Sequence, residues 1–252
     1  MPDPVAPGAF SDYARVYDAI YADKDSASEA SFVMARLGDG GGRLPSTLLE
    51  VGCGTGRHLS EFVRHGAQVT AIDRSAEMAA IARGRAIPGV EVVVDDARSF
   101  VLEKTFAAAV ALFHVVSYLT TADDLAACFA AVRRHLVAGA PFLFDFWHLP
   151  GVRLDPPSRR ERSFTVEEGS FHRSMLPTWR DPVVDLDIEI DGDLCGRPVR
   201  IRERHLLRAW SRTELAVALE ATGFTTNGWG AGLGSGALVE RDWHGWALAR
   251  AR

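Results

Sequence analysis

The residue types best suited to chemistry cluster in one short stretch, Leu48-Leu49-Glu50-Val51-Gly52-Cys53-Gly54-Thr55-Gly56-Arg57-His58. It reads as an apolar strand that ends beside an acid, turns through three glycines and opens a helix. Such a turn lets backbone come close to a nucleotide-like ligand. The glycine spacing excludes the dinucleotide fingerprint G-x-G-x-x-G, because the sixth position is Arg57 counted from Gly52 and Leu59 counted from Gly54. Two more acids close the next strand-like runs, Asp73 and Asp96. At the carboxyl ends of parallel strands, Asp73 would accept hydrogen bonds from both hydroxyls of a ribose. Asp96, with Ala97 beside it, would accept from the amino group of a base, while Met78 and Phe113 pack on the ring faces. Alone, a glycine turn is a tight connection and a lone aspartate a solvated loop acid. Together, at successive strand ends, they predict a nucleoside site.

The elements that must position these residues follow from apolar periodicity. Tyr13, Tyr17 and Tyr21 share one side of a helix over 10–22, and a second helix runs from Ser28 to Leu37. Gly38-Asp39-Gly40-Gly41-Gly42 ends it in a loop. Strands Thr47–Val51, Gln68–Ile72, Val90–Val94, Ala107–Phe113 and Pro141–Phe146 then alternate with helices at Arg57–His65, through Met78 and Arg83, and at Asp123–Leu136. Continuous apolar runs such as Val92-Val93-Val94 predict strands buried on both faces of a parallel sheet. The pattern breaks after Leu149. Residues 150–182 are rich in Pro, Arg and Ser, and Asp155, Arg159, Arg160 and Arg162 there read as solvated. Val183–Asp191 and Val199–Leu207 alternate cleanly, which predicts an antiparallel insertion on the main sheet. Its acidic face (Asp185, Asp187, Glu189) and basic face (Arg200, Arg202, Arg204) read as cross-strand partners. The opposite face of the second strand carries Ile201, Glu203 and His205, two polar groups that would line a pocket or sit at a sheet edge. A helix at Ser211–Thr222, with Glu214 completing a capping box, and strands near Thr225–Trp229 and Trp243–Ala249 close the chain.

With 252 residues and 47 % hydrophobic residues, the chain suits one large α/β domain carrying an insertion. A net charge of −5 argues against a general nucleic-acid binder. No apolar run is long enough to span a membrane, and the N-terminal residues lack a signal-peptide pattern. The three cysteines, Cys53, Cys128 and Cys195, are scattered and suit neither a disulfide framework nor a metal site; a cytoplasmic setting is expected.

Glu50-x-Gly52-x-Gly54-x-Gly56 resembles motif I of class I S-adenosylmethionine-dependent methyltransferases. Ala71-Ile72-Asp73-Arg74-Ser75-Ala76-Glu77-Met78 resembles the second motif of that family. Val94-Asp95-Asp96-Ala97-Arg98 is similar to its "GDAR" segment, with Asp95 in place of Gly. Leu136-Val137-Ala138-Gly139-Ala140 resembles the turn before the fifth strand, with Ala140 for the second Gly. Phe106-Ala107 lacks the acid found there in relatives. The resemblance implies a Rossmann-like fold with seven strands, mostly parallel, in the order 3-2-1-4-5-7-6. It implies S-adenosylmethionine as cofactor, S-adenosylhomocysteine as product, and Glu50, Gly52, Cys53, Gly54, Gly56, Asp73, Arg74, Met78, Asp96, Ala97 and Phe113 as cofactor contacts. Tyr17-Asp18-Ala19-Ile20-Tyr21-Ala22-Asp23-Lys24-Asp25 is similar to the N-terminal "YD…Y..KDY" segment of small-molecule N-methyltransferases from antibiotic pathways, although Ser26 stands where the pattern has Tyr. In those relatives the segment folds over the cofactor. That implies Tyr21 and Lys24 as further cofactor contacts and Tyr13 and Tyr17 on the acceptor side. The division expected is a helical lid over 1–45, a cofactor-binding core over 46–149, the insertion over 150–209 and completion of the core over 210–252.

Methyl transfer from a sulfonium is an in-line displacement, in which protein assistance is chiefly alignment and exclusion of water. A neutral amine attacks directly, whereas a hydroxyl needs a base or a metal. Phe113-His114-Val115-Val116-Ser117-Tyr118 resembles the family's "FHvisY" segment. Tyr13, His114 and Tyr118 are therefore the catalytic candidates, with Tyr17, Ser117, Asp145 and Trp147 as substrate contacts. No Asp/Asn cluster suggests a metal. The leading expectation is an N-methyltransferase acting on a small amine, an amino sugar or an amino-acid-derived antibiotic intermediate. Two alternatives stay open: a metal-independent O-methyltransferase with His114 as base, and a non-catalytic cofactor-binding protein. Partners are confined to the small-molecule acceptor and a homo-oligomer.

Overall fold

Four of the five expected core strands are buried along nearly their whole length, whereas Val90–Val94 lies at the sheet edge with Val94 42 % exposed, so its apolar run is not buried on both faces as expected. The computed structural model describes residues 10, 13–38, 42–167 and 169–252. Outside them lie residues 1–9, where a leader was sought, residues 11 and 12 of the expected first helix, and 39–41 of the glycine loop. Strands β1 (Thr47–Val51), β2 (Gln68–Asp73), β3 (Val90–Val94), β4 (Ala108–Ala111) and β5 (Pro141–Trp147) are parallel. Helices α1 (Ala14–Ile20) and α2 (Ser26–Leu37) precede the sheet, and α3 (Leu59–Arg64), α4 (Ala76–Gly84) and α5 (Ala122–Arg134) connect its strands. After α6 (Leu149–Leu154) and the insertion, α7 (Arg212–Ala221) leads to β10 (Phe224–Ala231) and β11 (His244–Ala251). The last strand runs antiparallel between β5 and β10. The sheet order is β3-β2-β1-β4-β5-β11-β10. Counting only these seven strands, that is the expected order 3-2-1-4-5-7-6.

Helix starts are written locally. The Ser75, Thr121 and Ser211 side chains accept from the amides of Met78, Asp124 and Glu214, and Glu214 returns a carboxylate to the Ser211 amide. One apolar cluster, including Phe129, Phe142, Phe144 and Leu219, fills the face under α5 and α7. Another, including Val33, Phe62 and Val69, fills the opposite face.

The insertion departs from expectation. Strands β6 (Arg160–Val166), β7 (Gly169–Arg180), β8 (Val183–Leu194) and β9 (Arg197–Arg208) form a separate antiparallel sheet rather than an extension of the main one. The Pro-, Arg- and Ser-rich stretch, for which no single element was expected, holds most of α6 and all of β6 and β7, and Asp155 and Arg160, expected to be simply solvated, line a cavity. Pro177 hides β7 from a reading of the sequence. It lies beyond the last residue paired with β6, on a stretch of β7 that is an edge, where proline is tolerated. The charged faces do pair: Glu189 lies opposite Arg202 and Asp191 opposite Arg200, with ion pairs of 3.2 and 3.0 Å, while Arg204 reaches diagonally to Asp185. The other face is apolar. Phe164, Phe171, Ile188, Ile190, Val199 and Ile201 pack there with Tyr13, Val16 and Ile20 of the first helix. That helix is thereby clasped between the insertion and the core, to which Asp18 ties it through Thr55 at 2.6 Å and Arg85 at 2.5 Å.

Helix α2, β1 and the turn before α3 meet at buried charges. His58 Nε2 lies 2.9 Å from Glu29 Oε2, its Nδ1 lies 3.7 Å from Glu50 Oε1, and Lys24 Nζ lies 2.5 Å from Glu29 Oε2. Burial works against the imidazolium, but hydrogen bonding to the Glu29 and Glu50 carboxylates overcomes it and raises His58 to about 9. A pKa raised in the folded state adds stability that is complete below the ordinary value of 6.5 and lost as pH climbs through about 9. The stability of the wild type should therefore fall more over that interval than that of His58→Gln, by on the order of 3 kcal/mol, with the melting temperature falling more steeply. Parallel curves in differential scanning calorimetry would count against the charged cluster.

Candidate active site

A cavity of about 780 Å³ lies between the carboxyl ends of the parallel strands and the apolar face of the insertion. All four tyrosines of the chain line it. One end is bounded by Gly52, Gly54, Asp73, Arg74, Met78, Asp95, Asp96, Ala97, Arg98 and Phe113. The other is bounded by His114, Tyr118, Trp147, His205, Trp243 and His244, with Asp155, Arg160 and Arg241 also in its lining. A smaller cavity adjoins the glycine turn and is lined by Tyr17, Tyr21, Lys24, Glu50, Cys53, Thr55, Arg57 and His58 among others.

The glycine turn hangs on the end of β2. The Gly52 and Cys53 amides donate to the Ile72 carbonyl at 2.8 and 3.0 Å. Gly54 donates to Asp73 Oδ2 at 2.7 Å, and Ser75 to Asp73 Oδ1 at 2.9 Å. Gly52 has φ +71°, and a Cβ there would stand 2.4 Å from Val115 Cγ2. Gly56, expected to touch the cofactor, lines neither cavity. A Cβ there would meet Leu59 at 2.6 Å and Ala82 at 3.0 Å, so its role is close packing of α3 on α4. Burial raises the Asp73 carboxyl, and the Ser75 and Gly54 amides partly offset that. Burial also acts to raise Asp96, but the Arg98 guanidinium, 2.7 Å away, outweighs it and holds the carboxyl below its usual range. Lys24 sits 4.2 Å from the centre of the Phe113 ring, and Tyr21 is edge-on to that ring at 4.9 Å.

At the far end, the Tyr13 hydroxyl accepts from Arg173 at 3.1 Å and Tyr118 Oη lies 3.1 Å from His205 Nδ1. His114 faces the cavity and stacks on His244 at 4.6 Å. Burial, reinforced by the Lys24 cation, pushes His114 down to about 3, and burial with His114 pushes His244 to about 4. Two expected substrate contacts are not cavity residues. Asp145 sits behind His114, accepting its amide at 2.8 Å and lying 3.2 Å from its Nδ1; burial lifts the carboxyl to about 6. Ser117 is fully buried and accepts the Trp147 amide at 2.9 Å. Trp147 does line the cavity, and its buried Nε1 has no hydrogen-bond partner. His244 was missed from sequence, although an antiparallel last strand necessarily begins where the parallel strands end. Among the described residues, no three His, Cys, Asp or Glu side chains converge as a metal site.

Residues 48–139 match the model of a methyltransferase domain family. Over 229 residues, covering 84 % of this chain and 90 % of the relative, the sequence is 31 % identical to dTDP-3-amino-3,4,6-trideoxy-alpha-D-glucopyranose N,N-dimethyltransferase of Streptomyces venezuelae. The fold is that of an S-adenosylmethionine-dependent methyltransferase from Clostridium acetobutylicum, at 18 % identity and a TM-score of 0.82, covering 96 % of this chain and 99 % of that one. A second structure, SAM-bound CalS10, an amino pentose methyltransferase of Micromonospora echinaspora involved in calicheamicin biosynthesis, is similar at 26 % identity and a TM-score of 0.75. It covers 94 % of this chain and 97 % of that one. The chain belongs to the S-adenosylmethionine-dependent methyltransferases. Within them it falls in the family of the Streptomyces N,N-dimethyltransferase.

The residues present fit that cofactor. Glu50 Oε2 is buried without a hydrogen-bond partner beside the glycine turn, which suits an ammonium group. A Cβ on Gly54 would point into open space, leaving the backbone bare toward a ligand. Asp73 and Asp96 stand along the same cavity wall as Met78 and Ala97. With Asp73→Ala, affinity for S-adenosylhomocysteine should weaken by about 1–3 kcal/mol, the scale of hydrogen bonds to a charged group. An unchanged dissociation constant in titration calorimetry would remove Asp73 from the ribose site.

Proposed function

We propose that this methyltransferase acts on the amino group of a small molecule, an amino sugar carried on a nucleoside diphosphate. The observation that carries the reading is the lining of the cavity of about 780 Å³. It continues beyond the cofactor end through Tyr13, Tyr17, Tyr118 and Trp147 to a lining that includes Arg160 and Arg241, which suit a diphosphate. The names of the relatives, amino-sugar methyltransferases of antibiotic pathways, support it.

The cofactor supplies an electrophilic methyl group and its own leaving group. The chain supplies position. The Tyr13 and Tyr118 hydroxyls and the free Trp147 Nε1–H are the polar groups that would orient the acceptor. The rings of Tyr17, Tyr21, Phe113 and Trp147 exclude water and favour nearby positive charge. A general base works best with a pKa near the operating pH, and His114 at about 3 is far from it. The low pKa of His114 therefore supports an amine over the alternative of a hydroxyl activated by His114.

Offered dTDP-amino sugars and their hydroxyl counterparts with S-adenosylmethionine, the enzyme should methylate the amines, detected by mass spectrometry. Tyr13→Phe and Tyr118→Phe should each lower kcat at least about 10-fold, and His114→Ala less. Methylation of the hydroxyl compounds alone would replace this reading with the O-methyl one. Full turnover by all three variants would move the acceptor wall elsewhere.

A further inference from the structure

The insertion contributes a buried polar chain to the acceptor site. Alternation along β9 puts Glu203 and His205 on its inner face, with side chains 5 % and 1 % exposed. Glu203 accepts the Phe10 amide through Oε2 at 2.7 Å and the Tyr13 amide through Oε1 at 3.0 Å, so it caps the start of α1. Its Oε2 is also 3.1 Å from His205 Nε2, and His205 Nδ1 is 3.1 Å from Tyr118 Oη. Phe10 stands edge-on to the imidazole at 4.7 Å and holds the ring in place.

Donor and acceptor roles along this chain resolve in one direction. An ionised carboxylate only accepts, so Nε2 of a neutral His205 carries the hydrogen and Nδ1 offers a lone pair. The Tyr118 hydroxyl must then donate inward to Nδ1. What Tyr118 presents to the cavity is oxygen lone pairs.

We propose that Glu203 and His205 are positioning residues that set Tyr118 as an acceptor for an N–H of the bound amine and receive the proton it must lose. An amine that binds as ammonium gives a proton to Tyr118 Oη as the Tyr118 O–H proton passes to His205 Nδ1. The N–H bond breaks and its electron pair becomes the nucleophilic lone pair. Tyr118 ends as it began, and the imidazolium is held by the Glu203 carboxylate. When product has left, the two transfers reverse toward water in the cavity. This rests on the amine reading given above. It gives the insertion a part in the chemistry as well as in clasping α1.

Two measurements test it. In the wild-type protein without acceptor, ¹⁵N spectra of labelled histidine, assigned with His205→Gln, should show the Nε2–H tautomer for His205, and Glu203→Gln should abolish that preference. An Nδ1–H tautomer in the wild type overturns the inference even where amines are methylated. In steady-state assays, His205→Gln should lower kcat at least about 10-fold with KM and S-adenosylhomocysteine affinity within about 3-fold. Tyr118→Phe/His205→Gln should be no slower than Tyr118→Phe, because both residues act through one hydroxyl. Losses that multiply, or a kcat for His205→Gln within about 2-fold of wild type, reduce Glu203 and His205 to a structural clasp. A wild type that shows the Nε2–H tautomer but methylates no amine refutes the amine reading, and the proton transfer with it.

Discussion

The hydrogen bond from the Gly54 amide to Asp73 is the constraint on which the rest of the site depends. Parallel pairing of Val51 with Ile72 brings the end of β1 beside the end of β2. The turn then folds over, with two amides on the Ile72 carbonyl and a third on the Asp73 carboxylate. A carboxylate this buried is costly without donors, and backbone amides on both oxygens supply them. The same bonds hold Gly54 with bare backbone toward open space. Glu50, with a buried and unpartnered oxygen, is placed beside it. One set of interactions thus stabilises the turn and leaves it one negative group to satisfy.

The two halves of the cavity are built on different principles. The cofactor half comes from backbone amides and carboxylates within a few residues of strand ends. The other half is lined by side chains on separate pieces, among them the start of α1, the segment after β4, the end of β5, β9 and the start of β11. Those pieces need long-range ties. Glu203 binds the amides at the start of α1, Arg173 binds the Tyr13 hydroxyl, and Asp18 binds Thr55 and Arg85. Without the insertion, α1 would lose the apolar face it packs against and the carboxylate that caps it. The helix and the insertion are consequently one functional unit, although more than a hundred residues separate them.

That difference explains what was legible in the sequence. The core strands, their order and the line of Gly52, Gly54, Asp73 and Asp96 could be read because strand ends and glycine turns are local signals. Gly56 misled because the same residue type serves close helix packing as well as ligand approach. Asp145 and Ser117 misled for another reason. A polar residue at the end of β5, or after β4, faces either the ligand or the backbone of its neighbour, and only tertiary contact decides. Here both bind backbone, at His114 and Trp147. The second sheet was half visible. β8 and β9 alternate in hydropathy, whereas much of β6 and β7 is exposed and Pro177 interrupts the pattern. Glu203 and His205 stood out as polar residues on an apolar face, yet no sequence rule could pair them with Tyr118.

Strain at the centre of the site has a physical counterweight. Phe113 and His114 follow one another with φ of +65° and +66°, a conformation that costs a residue with a side chain roughly 1–2 kcal/mol. Asp145 accepts the His114 amide, Ser117 receives the Trp147 amide, and Val115 seats against Gly52, where any Cβ would collide. The missing Cβ of the glycine turn is therefore what admits the acceptor segment to the cofactor end. The bend turns the Phe113 ring toward Lys24 and Tyr21 and the His114 ring toward His244. Asp145 is committed to holding that bend and does not reach the cavity. His114, whose pKa burial pushes down to about 3, lines the cavity beside His244. The polar chain beside the cavity is Tyr118 with His205 and Glu203 behind it, the latter two supplied by β9 rather than by the strand ends that carry the glycine turn.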